Sequence, residues 1–372
     1  MRISRQNSNH GFTLVELLAA LFVGLIILAS ATYLFSQALK ASFIISQRAE
    51  MQQNGRAAVG LTSKDISLAG AGLPVGGVQL PTATGTNSKY GCGQTACYVA
   101  GPFPAGIAYP NNHLYGVVPS PGIGLPTSAG GPNTDIITVV YTDNTYALNL
   151  YKVTAFGANG VSISLIPPNP QPVPAVPPLL DPAYGIKVGD LILLSNNKGS
   201  AIGEVTGIPD NNTINFADLD PLRINQSGAA TGNIKAIIVA ANPLGTGTTA
   251  TRILAITYYV DVPPGADGIR YTADDPPTRL MRQVNGQPPV PVAENIADLQ
   301  FTYDIFDETT GTATANLPDA GLSTGKSPNQ IRKVNIISMT ARSGMRGTQS
   351  FQAVDLATSV SVRDMSFRDR YQ

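Results

Sequence analysis

"HGFTLVELLAALFVGLIILASATYLF" runs from His10 to Phe35, and its reading governs the rest of the chain. One carboxylate, Glu16, stands near its start. From Leu17 to Leu39 no residue is charged. As a helix rising 1.5 Å per residue, such a run is about 35 Å long, enough to span ~30 Å of hydrocarbon. An acid inside a membrane helix costs about 2.5–3.5 kcal/mol at the centre and less near the edge, and it usually has a partner. A plain anchor gains nothing from it. The flank is also unusual. Residues 1–11 carry Arg2 and Arg5 and no acid, and polar sequence gives way to apolar abruptly at Gly11–Phe12. A secretory signal instead has a short apolar core with a small-residue cleavage site after it.

The stretch "GFTLVELL" resembles the class III signal of type IV prepilins. The resemblance implies cleavage by prepilin peptidase between Gly11 and Phe12, on the cytoplasmic side, and N-methylation of Phe12. Glu16 then becomes the fifth residue of the mature chain (16 − 11 = 5). It also supplies the missing partner. The new N-terminus is a positive amine in the bilayer, and Glu16 of one subunit would pair with the Phe12 amine of the next in a filament.

Beyond Leu39 the sequence turns mixed, with no proline before Pro74. Met51, Ala58, Leu61 and Leu68 fall on one helical stripe, and Asp65 intrudes on it. Gly70 and Gly72 supply a stop. Gly24, Gly55 and Gly60 are places where the helix could bend. "QNGRAAVGLTSKDISLAGAG", "AENIADLQFTYDIFD" and "IRKVNIISMTARS" resemble blocks of PilW-type minor pilins. The expected fold class is α+β and pilin-like: a long N-terminal helix, transmembrane in its first half, packed on a large β-rich globular head. Its segments are a leader (1–11), a transmembrane and filament-core helix (12–40), an amphipathic helix half (41–73) and the head (74–372).

Composition agrees with a strand-rich head. Charged residues make up 13%, and Gly and Pro number 37 and 29. That is low charge and high turn content against ~25% charged and ~12% Gly plus Pro in typical domains. Strands are expected at 135–142, 148–153, 161–166, 191–195, 202–208, 213–216, 234–240, 253–262, 299–306, 334–341, 349–354 and 360–367. Residues 189–216 read as one meander. "PPNPQPVPAVPPLLDP" (167–182), with eight prolines, reads as an extended insertion within a single head.

Chemistry is sparse. Cys92 and Cys97 can close a small disulfide loop in an oxidising compartment. Free thiols and a zinc half-site are the alternatives, although zinc wants four ligands and the chain has two histidines. "GLSTG" (321–325) matches an esterase elbow, but its flanks are loop-like and the base would have to be His113, so no catalysis is expected. Asp261, Asp267, Asp274 and Asp275 gather in one turn-rich stretch and could hold calcium, although the spacing is not that of an EF-hand loop. Otherwise no cofactor is expected. Formal net charge is zero, and the eight Lys/Arg against three Asp of residues 326–372 do not cluster, so nucleic acid is not an expected partner.

The resemblance implies a bacterial protein held in the inner membrane by a single pass, with its head in the periplasm, and later part of a pilus on the cell surface. Its partners would be other minor and major pilins, prepilin peptidase and the inner-membrane assembly platform. Two rival readings stand beside a minor pilin that primes assembly: a minor pseudopilin of a type II secretion system, and a calcium-binding tip adhesin.

Overall fold

The computed structural model describes residues 12–74, 76–83, 86–90, 98–99, 102–103, 107–108, 113–272, 274–308, 310–318, 326–344, 351–362 and 364–365. The Cys92–Cys97 pair, the 321–325 motif and Gly11 lie outside them. The chain divides into two units: Met1–Glu50 with Gly344–Gln352, and Met51–Ser343 with Ala353–Gln372.

Helix α1 is Leu14–Ser67. Its part in the first unit is exposed almost throughout, with Leu21, Phe22, Ile27 and Phe35 each more than half exposed. An 18-residue window of α1 is long and apolar enough to cross a membrane. Its burial begins at Met51 and continues through Gly55, Ala58, Thr62, Asp65 and Ile66. The expected stripe is therefore rotated. Leu61 is half-buried and Leu68 exposed, while Asp65 faces inward. Helical structure continues unbroken through Gly24, Gly55 and Gly60. Gly55 lets the Leu356 side chain approach so closely that a Cβ there would lie 2.7 Å from it. Gly70 and Gly72 do end the helix region, both with positive φ (84° and 73°), which suits glycine.

The head's central sheet is built on the long strand β9 (Thr249–Asp261). On one edge it pairs with β2 (Ile136–Thr142), which pairs with β1 (Val117–Ser120). The other edge is shared. β5 (Leu191–Asn196) takes Thr249–Ile253, and β10 (Arg279–Val284) takes Ile256–Asp261. Asn285 fills the gap between them. Its Oδ1 accepts from Ala255 N at 2.7 Å and its Nδ2 donates to Ile253 O at 3.1 Å. Ala255 lies between the stretches that β5 and β10 pair, and buried backbone groups must be paired. β6 (Gly199–Glu204) extends the sheet beyond β5, and β11 (Val290–Glu294) extends it beyond β10. Two four-stranded sheets complete the head. One has the order β3 (Lys152–Phe156), β4 (Ser162–Ile166), β8 (Thr213–Asn215), β7 (Gly207–Asp210). The other has the order β13 (Thr312–Leu317), β12 (Ile296–Asp307), β14 (Ile331–Gly344), β15 (Phe351–Ser361).

Two principal cores result. Met51, Ala58 and Ile66 of α1 join Val139 of β2, Tyr258 of β9, Phe301 and Tyr303 of β12 and Met339 of β14. The second core holds Val153, Ile163, Ile214 and Phe216. β5 serves both: Leu191 and Leu193 face the first, Ile192 and Leu194 the second. Burial on both faces is why it reads as a continuous apolar run. The proline-rich stretch lies against the second core. Leu179 is fully buried there, and the hydroxyls of Tyr146 and Tyr151 donate to Pro177 O at 2.9 and 3.0 Å.

Several sequence expectations are corrected. Residues 234–240 do not form a strand. Ile234–Ile237 is a 3-10 turn, because Asn233 accepts from Ala236 N at 3.2 Å and caps it. Leu148–Leu150 is likewise a 3-10 turn, with β3 starting at Lys152. The expected 202–208 strand breaks after Glu204, so the meander divides between two sheets. The stretches 349–354 and 360–367 contribute to one strand, β15.

Buried acids carry a pH signature. Glu204 is 1% exposed, and burial, with Asp220 against it, raises its carboxyl far above the ordinary value. Burial also raises Asp135 to about 6. A raised folded-state value means that the stability contributed by the neutral form is complete below the unfolded value and is lost as pH rises through the folded one. We therefore expect the melting temperature of the chain to fall between mildly acid and alkaline pH. Glu204→Gln, which holds the neutral shape, should flatten that slope, and an equally steep slope in the variant would refute the assignment.

Candidate functional site

The start of α1 forms a reciprocal cap. Thr13 Oγ1 accepts from Glu16 N at 3.3 Å, while Glu16 Oε2 accepts from both Thr13 N and Thr13 Oγ1 at 2.9 Å. Ser/Thr followed three residues later by Glu is the capping-box pattern, which satisfies amide groups that have no partner at a helix start. The pattern was available in "TLVE", but a reading for membrane charge alone passes over it. Glu16 thus satisfies its own helix, and Oε1 has no donor among the described residues. Phe12 is 88% exposed immediately before the cap. Among the described residues, Phe12 and one carboxylate oxygen of Glu16 are therefore open.

The acidic stretch folds into a closed loop. The structure brings Asp267, Asp274 and Asp275 together, with one carboxylate oxygen of each within 4.8 Å of the others. Asp261 is apart from them: at the end of β9 it is buried and pairs with Arg279 at 2.7 Å. The loop's carboxylates are already engaged. Asp275 accepts from Gly265 N at 2.7 Å, Tyr271 N at 2.5 Å and Thr272 N at 3.0 Å. Asp274 accepts from Ala266 N at 2.9 Å and from Thr272 Oγ1 at 2.8 Å. The Thr272 hydroxyl holds the Asp274 carboxyl below its usual range. At Asp275 desolvation works upward, but the three backbone amides outweigh it and hold the carboxyl low as well. Both stay charged at neutral pH. His113 is half-buried, and its Nδ1 has no hydrogen-bond partner among the described residues.

The profile described as "Prokaryotic N-terminal methylation motif" matches residues 6–32. No curated protein matches the chain. No solved structure matches it either. The matched span takes in Gly11, Phe12, Glu16 and most of the charge-free run, Leu17–Thr32. The chain therefore carries a prepilin-type signal, which supports a pilin- or pseudopilin-like protein and implies processing by prepilin peptidase and association with pilins and their assembly machinery in general. Its apolar N-terminal helix fits a membrane-anchored state.

Proposed function

We propose that this protein is a minor pilin of PilW type that takes part in initiating assembly of a type IV pilus. The observation that carries this reading is the combination of a prepilin signal with a long, exposed apolar helix and a large β-rich head. The large β-rich head favours a minor pilin over a secretion pseudopilin. The protein acts by packing and charge pairing, and it is a substrate of enzymes. Deleting its gene should remove surface pili while leaving the major pilin in the membrane, and minor subunits should co-purify with the tagged chain. Normal pili accompanied by a secretion defect would redirect the reading to a type II pseudopilin.

The acidic loop supports a second, subsidiary reading, a calcium-binding head. Calcium takes six to eight oxygens. Three clustered carboxylates with loop carbonyls and water could supply them: the oxygens of Asp267 and Asp274 keep lone pairs, whereas each Asp275 oxygen already accepts two donors and would have to release one. A ligand at about 100 times its Kd stabilises by about 2.7 kcal/mol. Calcium should therefore raise the melting temperature by several degrees, and Asp274→Asn should abolish the rise. A melting temperature indifferent to calcium and chelator would leave the loop as a self-satisfied turn.

A further inference from the structure

Between β8 and the turn at Ile234–Ile237, several features converge on one peptide bond, Asp220–Pro221. Asp220 is 4% exposed. Its carboxylate accepts from Ile224 N and Asn225 N, both at 2.8 Å. Both donors follow the residue in sequence, so the carboxylate is drawn towards its own C-terminal side. The carbonyl oxygen of Asp220 accepts from Arg223 N at 3.0 Å, an N–H placed to stabilise negative charge on that oxygen. Against the Asp220 carboxylate lies the buried carboxyl of Glu204, whose Oε2 also accepts from Leu222 N at 3.1 Å, one residue past Pro221. Burial, and then the neighbouring Asp220, push the Glu204 carboxyl far up, so Glu204 holds its proton at neutral pH. Finally, Leu219 and Arg223 flank the site with φ of 74° and 52°, in the left-handed region that non-glycine residues avoid. Such strain persists only where the surroundings impose it, and it gathers at functional sites.

We propose that the head cleaves its own chain at Asp220–Pro221. A carboxylate oxygen of Asp220 attacks the backbone carbonyl carbon of the same residue. A C–O bond forms and closes a five-membered cyclic anhydride, and the C–N bond to Pro221 breaks. Glu204 gives its proton to the departing proline nitrogen, which becomes a secondary amine. Water then opens the anhydride, leaving a C-terminal Asp220 with two carboxyl groups. Of the two protons released, one restores Glu204 and the other protonates the new amine. No oxidant, metal or further reactant enters. The halves remain assembled, because β5 on one piece is hydrogen-bonded to β9 on the other. The nick is therefore visible only after denaturation.

The chain contains its own controls. Asp275–Pro276 has the same two residues, but the Asp275 carboxylate is drawn backward by Gly265, Tyr271 and Thr272, away from the following bond. At Asp181–Pro182 the carboxylate is drawn forward by Ala183 N and Tyr184 N at 2.9 and 2.8 Å, but Asp181 is part-exposed and water competes for it. The test is to hold the purified full chain in detergent micelles at mildly acid pH for days and then record denaturing mass spectra. The expected product begins at Pro221 and accumulates at least about tenfold faster than products of the other two Asp–Pro bonds. Glu204→Gln, nearly isosteric, should slow it by roughly 100-fold, the scale of one lost general acid, with an unchanged circular dichroism spectrum. No product, equal rates at the three bonds, or an unaffected rate in the folded Glu204→Gln variant would each overturn the proposal.

Discussion

Asp65→Ala should destabilise the head by about 3–5 kcal/mol, the largest loss expected from any single substitution outside the hydrophobic cores. Asp65 is 3% exposed on the inward face of α1. Its carboxylate accepts from Tyr141 Oη at 3.0 Å, Tyr258 Oη at 2.5 Å and Arg282 Nε at 2.9 Å. These donors come from β2, β9 and β10, so one helical side chain fastens three strands of the central sheet. Burial, and then the Asp65 charge, push both tyrosines above their ordinary values. At Arg282 burial alone would favour the neutral form, and the Asp65 carboxylate more than reverses it. Truncating Asp65 leaves a largely buried guanidinium and two hydroxyls without their shared acceptor. Unsatisfied buried groups carry the full desolvation cost. Chemical denaturation of the chain in micelles measures the loss. The double variant Asp65→Leu with Arg282→Met should recover much of it, because replacing a buried ion pair by apolar groups is often neutral. A single-variant loss below about 1 kcal/mol would show that α1 is held by its apolar contacts alone.

Asp65 also marks where the sequence stops being legible. As an acid on an apolar stripe it looks like a flaw in the amphipathic pattern, and the acceptor role becomes visible only once β2, β9 and β10 converge on it. Long elements with one dominant cause were readable. α1 follows from its charge-free run and glycine stop, and β5 and β9 follow from apolar runs that are buried. Three edge strands were not readable. β13 (TATANL) is polar because half-exposed edges need no apolar face, and β1 and β11 each contain a proline, tolerated at edges where one set of N–H groups is unused. Residues 234–237 have strand-like composition, but the Asn233 cap overrules it locally. In the acidic loop, proximity in sequence was a fair guide for Asp267, Asp274 and Asp275 and a poor one for Asp261, which the end of β9 commits to Arg279.

At the N-terminus the signal was readable, while the capping role of Glu16 was not. Glu16→Ala should leave prepilin peptidase cleavage intact and reduce incorporation into the filament by tenfold to about 100-fold. The magnitude follows from leaving the Phe12 amine of a neighbouring subunit without a counter-charge in lipid. That costs up to roughly 2.5–3.5 kcal/mol and less near the edge, at a factor of ten per 1.4 kcal/mol. The cap on Thr13 offers a competing cause for the same defect, since the alanine variant loses that too. Glu16→Gln separates them. Glutamine serves the capping box as well as glutamate does, so the helix start survives while the charge is gone. Intersubunit pairing predicts that Gln fails as Ala does, whereas a capping role predicts that Gln assembles normally. Quantifying the subunit in sheared filaments against the membrane pool, for both variants side by side, reads out the difference. Cleavage should be equal in both, because on the proposed reading the peptidase acts at Gly11–Phe12 before any neighbour is engaged.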